Sequence, residues 1–184
     1  MDELCYALAV ELSSRDFDTN NIPSITTLVS CCQGLIAADK EASIVRLIHF
    51  TLQEYLSALP NIFSGPHSTM AEICLTYLNS DQVKSIRADR FSDIPVTPFL
   101  KYCSVYWGVH AKRELSECAR SLALELFMKF HGHVSGQFLL VNHFRLGNCD
   151  FKDFHKGSEF SGLHYASFFW NWRACSCFDG DGML

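Results

Sequence analysis

Basic residues are outnumbered: 15 Lys and Arg stand against 20 Asp and Glu, for a net charge of −5. A nucleic-acid surface needs clustered Lys and Arg, so no nucleic-acid partner is expected. No uninterrupted apolar run reaches the roughly 18 residues of a membrane-crossing helix, so no membrane partner is expected either. The nine cysteines contain no C-x-x-C pair, which removes the usual spacings for zinc and for thiol redox chemistry. No G-x-x-x-x-G-K-[ST] is present, so the chain lacks a phosphate-cradling loop. The opening MDELCYALAV has no basic stretch and no cleavage site, and no secretory signal is expected there.

What is present is apolar. Hydrophobic residues make up 48% of 184 positions, enough to bury the core of one domain or two small ones and to argue against whole-chain disorder. Cys5, Cys31, Cys32, Cys74, Cys103 and Cys118 fall mostly on the apolar faces of expected helices. They read as small buried hydrophobes in a reducing compartment.

The most informative stretch is RLIHFTLQEYLSA, residues 46–58. Residues 44–50 are rich in β-branched and aromatic side chains and predict a strand. Thr51 precedes Glu54 by the spacing of a capping box, in which hydroxyl and carboxylate each accept from the other residue's amide. Leu52, Tyr55, Leu56 and Leu59 then share a helical face, and Pro60 ends it. His49 is thereby expected at a strand end beside a helix N-terminus.

Elsewhere the pattern is chiefly helical. A first helix over residues 2–12 would bury Leu4, Ala7, Leu8 and Leu12. After a polar loop, Pro23 suits the first turn of a second helix, with Ile25, Leu28, Val29 and Cys32 on one face and Gly34 as its stop. Residues 35–38 and 44–50 flank DKEAS and predict a hairpin with a five-residue loop. Helix, helix, hairpin, helix is compatible with a winged helix. Beyond a connector over residues 60–68, Ser68 is expected to cap a helix bearing Ala71, Cys74, Leu75 and Leu78. Residues 81–95 read as polar loop with a short helix. Phe99, Tyr102, Cys103 and Tyr106 mark another helix, and Leu115, Cys118, Ala119, Leu122 and Leu126 a further one. Residues 145–158 are polar. Ser161-Gly162-Leu163-His164-Tyr165-Ala166 matches the repeat start T-P-L-H-x-A at Leu163, His164 and Ala166.

Hydrophobic-x-His-x-Thr-x-Gln-Glu-Tyr-Leu-x-Ala around His49 resembles the winged-helix segment that follows the nucleotide-binding domain of NACHT-type STAND ATPases, the NOD-like receptors and their fungal relatives. The run SCCQGLIAADKEASIVRLIHFTLQEYLSA, with AEICLTYLN and PFLKYCSVYWGVHAKREL in the same order, resembles fungal NACHT–ankyrin proteins. The resemblance covers residues 2–169. It implies that His49 is the histidine which, in a full-length relative, contacts the phosphates of bound ADP. It also implies protein partners: a NACHT nucleotide-binding domain on one side and ankyrin repeats on the other. ATP or ADP would be the cofactor of that relative, not of this chain.

The remaining candidates weigh less. A DNA-reading helix would be residues 24–33, which carry Ser24, Thr26, Thr27, Ser30 and Gln33 but no Lys or Arg; phosphate contacts usually come from basic side chains. His131 and His133 flank a glycine; two ligands do not make a metal set, and they read as an exposed turn. Tyr102, Tyr106 and Trp107 read as core. Glu54 is assigned to the capping box, leaving no catalytic residue.

The fold expected is mainly α: a winged-helix-like subdomain with one small β-hairpin (1–59), a helical connector domain (60–144), a linker (145–159), the start of an ankyrin repeat (160–169) and an aberrant tail (170–184). In one permitted back-translation, a one-base skip turns the tail into a segment resembling the apolar second helix of an ankyrin repeat. The tail therefore reads as out of frame. The function expected is a non-enzymatic, cytoplasmic, regulatory fragment of a nucleotide-controlled signalling receptor. The alternatives are a DNA-binding winged helix and a truncated product with no independent role.

Overall fold

In order, the chain forms α1 (Asp2–Leu8), a 3-10 turn (Thr19–Asn21), α2 (Ile25–Cys31), β1 (Ile36–Asp39), β2 (Ile44–Leu47), α3 (Phe50–Ser57), α4 (Pro66–Leu78), α5 (Asp81–Ser85), α6 (Pro98–Arg113) and α7 (Glu117–Met128). This computed structural model describes residues 1–12, 14–59, 62, 64–86, 97–129, 133–136 and 138. The ankyrin-like Leu163, His164 and Ala166, the linker and the tail lie outside the described residues. The protein is mainly helical with one small antiparallel hairpin. Among the described residues no helix is long and apolar enough to cross a membrane.

Among the helices, packing is densest where α4 lies against α6 and α7. The α4 residues Ala71, Cys74, Leu75 and Leu78 are all completely buried, as their spacing predicts. Helix α6 supplies Phe99, Leu100, Cys103 and Trp107 to the same core, and α7 supplies Ala119, Ala123 and Leu126. An aromatic run knits these elements together: Phe17 meets Tyr77 edge-on at 5.0 Å, Tyr77 meets Phe99 at 5.0 Å, and Trp107 meets Phe127 at 5.8 Å. Tyr106, expected in the core, is instead a third exposed.

Side-chain caps set several helix starts. Ser24, Ser80, Thr97 and Ser116 accept from the amides of Thr27, Val83, Leu100 and Ala119. Ser68 is not a cap. Helix α4 begins earlier, at Pro66, with Gly65 in the left-handed region (φ 65°) as its N-cap. The cap oxygen comes from elsewhere: Glu114, just past α6, accepts from the Ser68 N–H at 3.2 Å. A β-carbon on Gly65 would approach that carboxylate to 3.3 Å.

The first helix departs from expectation. It stops at Leu8 and buries Cys5 and Ala7, leaving Leu4, Leu8 and Leu12 exposed. It packs on α6 as well as α2, and Ala7, Ala9 and Phe17 belong to the helical core. The division expected at residue 59 is therefore crossed by α1. The four-residue leucine spacing misleads because the small residues Cys5 and Ala7 are the ones buried where α1 packs on α6.

The hairpin pairs Ile36 with Leu47 and Asp39 with Ile44, so its loop is one residue shorter than expected. The Asp39 carboxylate accepts from the Glu41 and Ala42 amides, which folds the loop over its own strand end. The N-terminal ammonium donates to the Ser43 carbonyl at 2.7 Å and ties the loop to α1. Helix α2 ends through Gln33 and Gly34 at positive φ, as the glycine predicts. The described cysteines are free thiols; Cys5, Cys74 and Cys103 are buried, whereas Cys31 and Cys118 are exposed, against expectation.

Candidate functional site

His49 lies two residues beyond β2 and is the N-cap of α3, in extended conformation (φ −129°, ψ 136°). Its carbonyl accepts from the Leu52 N–H at 3.1 Å, while its exposed side chain makes no cap bond. The capping box assigned to Thr51 and Glu54 does not form. Helix α3 starts at Phe50, so Thr51 already lies inside the first turn and Glu54 in the second. The strand side of the junction ends sooner than its β-branched pattern suggested, because pairing with β1 stops at Leu47. The Ile48 N–H then donates to the Leu35 carbonyl. That bond places Leu35 beside the residues flanking His49, and Leu35, Ile48 and Phe50 are all exposed, Phe50 by 70%.

A second constellation joins α4 to α6. His67, in the first turn of α4, and His110, in the last turn of α6, approach through their Nδ1 atoms at 2.9 Å. The Nε2 atom of His110 lies 2.8 Å from the Tyr102 hydroxyl, and Nε2 of His67 lies 3.3 Å from the Arg113 guanidinium. Both rings are half-buried. A guanidinium only donates. Arg113 therefore fixes His67 Nε2 as an acceptor, His67 carries its proton on Nδ1, and that proton goes to His110 Nδ1. His110 in turn carries its proton on Nε2 and donates to Tyr102. One direction of donation satisfies the whole chain, with both imidazoles neutral. Burial, then the neighbouring His67 and Arg113, hold the His110 pKa below its ordinary value. Burial also pushes the Tyr102 hydroxyl up, so it stays protonated.

His133 is buried rather than in an exposed turn. Its Nε2 donates to the Leu78 carbonyl at 3.1 Å, and its Nδ1 sits 2.7 Å from the Ser135 hydroxyl. Burial outweighs the Leu78 bond and brings its pKa down to about 4. His131 lies outside the described residues. Among the described residues no group of three or more His, Cys, Asp or Glu side chains is placed to hold a metal.

Sequence reasoning overlooked His67, His110 and Arg113. Their helical positions were accessible: Tyr102 and His110 lie eight residues apart on one helix, a little over two turns. The meeting of His67 with His110 spans 43 residues and depends on how α4 crosses α6. Comparison with family models, with curated proteins and with solved structures found no match.

Proposed function

We propose that this chain is a non-catalytic coupling module of a NACHT–ankyrin-type signalling protein, acting in the cytoplasm. Its hairpin and α3 form a winged-helix-like surface that docks on a nucleotide-binding domain. The observation that carries this reading is the exposed His49 imidazole at a helix N-terminus, flanked by exposed Leu35, Ile48 and Phe50. An imidazole N–H can donate to a phosphate oxygen, and the apolar flank supplies area for a protein neighbour. The helical core and the segment around Leu163, His164 and Ala166 would connect that surface to a repeat array. ADP would be held by the partner domain, with His49 adding one contact.

Calorimetry with the purified chain and an ADP-loaded fungal NACHT domain tests the reading. Binding is expected, and His49→Ala should weaken it about tenfold. ADP alone should give no heat of binding. Micromolar ADP affinity in the isolated chain, or a NACHT domain that fails to bind, would overturn the reading. Salt-dependent binding of duplex DNA would favour the DNA-reading alternative, against which stands the absence of Lys and Arg from α2.

A further inference from the structure

We propose that His67 and His110 form a pH-operated latch that holds the first turn of α4 against the last turn of α6 while both rings are neutral. The proton accounting is closed. From Arg113 to Tyr102, each link has one donor and one acceptor. A proton added to His67 Nε2 would face the Arg113 guanidinium. A proton added to His110 Nδ1 would face the His67 Nδ1–H. The first proton can be accommodated only if His67 turns its donor toward Arg113 and that exposed guanidinium swings away. A second proton puts N–H against N–H at 2.9 Å and breaks the tie between the helices.

The surrounding charges leave this direction unchanged. Tyr102 and Arg113 contact the pair from α6, Tyr106 lies against Tyr102, and Arg113 opposes a cation. Glu114 follows α6, and its carboxylate is engaged by the Ser68 N–H beside His67. Glu72 of α4 is bonded to the Ser116 hydroxyl at the start of α7. Glu3 of α1 and the thiols of Cys74 and Cys103 act on Tyr102. The folded chain thus takes up a proton at His110 less readily than the unfolded chain does. The latch is complete above the ordinary histidine pKa; as pH falls below it, the first proton costs the Arg113 link and the second breaks the tie between the rings.

Its position gives the latch a consequence. The chain from the hairpin and α3 reaches the core at Gly65, and among the described residues Glu114, the histidine pair and the Arg113–His67 contact are polar ties on the turn that follows. Acid releases the histidine tie and leaves Glu114 as the remaining hold, so the first turn of α4, with the Ser68 and Thr69 amides, opens more often while the rest of the helix stays folded.

Histidine nitrogen NMR and amide exchange on the intact chain test this. At about pH 8, His67 should carry its proton on Nδ1 and His110 on Nε2. Lowering the pH to about 5 should reduce exchange protection of the Ser68 and Thr69 amides about fivefold, the loss of roughly one hydrogen bond. His110→Phe should give the low protection at both pH values, and His67→Gln should do the same should the first variant fail to fold. Acid effects through His133 enter at Leu78, at the opposite end of α4, and are seen separately. The opposite tautomers, or protection at Ser68 and Thr69 that does not change with pH, would overturn the latch. So would a pH response at those amides that survives both substitutions.

Discussion

Helix α4 and the unit formed by the hairpin and α3 carry apolar residues at equally regular spacing, yet the two bury them differently. Leu75 and Leu78 of α4 are fully enclosed, as are Phe99 and Leu100 opposite them. Between Phe17 and Ser68, no described residue is buried at all. The helical region closes its apolar faces on one another. The hairpin and α3 close only one side, leaving Leu35, Ile44, Ile48, Phe50 and Tyr55 open. Hydrophobic periodicity thus says which face wants cover, not whether this chain supplies it.

The widest gap between the two regions should appear on truncation of one side chain in each. Leu75→Ala should cost about 3–5 kcal/mol by transfer and cavity terms. Leu35→Ala should cost well under about 1 kcal/mol, since exposed substitutions away from special features have small effects. Urea denaturation measures both, and equal losses would erase the contrast.

Acid should strike the helical region next. The folded pKa of His133 is about 4, below the ordinary histidine value, so the unfolded chain takes up the proton first. The neutral ring's contribution is whole above about pH 6.5 and is lost as pH falls toward about 4, a change of about 3 kcal/mol. Stability measured across that range should flatten in His133→Gln. A curve of unchanged slope would place the acid response elsewhere.

Caps give a smaller and more even comparison. Ser24→Ala in the open unit and Thr97→Ala in the core each remove a bond to an amide, and each should cost about 1 kcal/mol. If the Ser24 change proves silent in thermal unfolding, then α2 does not melt together with the core.

The smallest effect is expected at Thr51. Because α3 starts at Phe50 with His49 as its cap, Thr51→Ala should shift the denaturation midpoint by less than about 0.5 kcal/mol. A loss near 1 kcal/mol would restore the capping box that the sequence suggests.

Local chemistry made much of the fold legible. The spacing of Ala71, Cys74, Leu75 and Leu78 identified the buried face of α4, Gly34 marked the end of α2, and DKEAS located the hairpin turn. These features depend on side-chain period and on backbone conformations that single residues prefer. They are present in the chain before any helix meets another. His49 was also legible, because a strand pattern and a helix pattern meet at it. The capping box was not: two residues of shift in a helix start are decided by where strand pairing stops, and that is a contact with β1. The allegiance of α1 to α6, the burial of His133 and the meeting of His67 with His110 are tertiary in the same sense. Each joins residues tens of positions apart, and their proximity follows from the crossing of packed helices. A histidine in a helix is only a helix residue until another element places a carbonyl, a second ring or a guanidinium against it. Which atoms of His67, His110 and His133 carry protons was therefore decided by the tertiary structure alone.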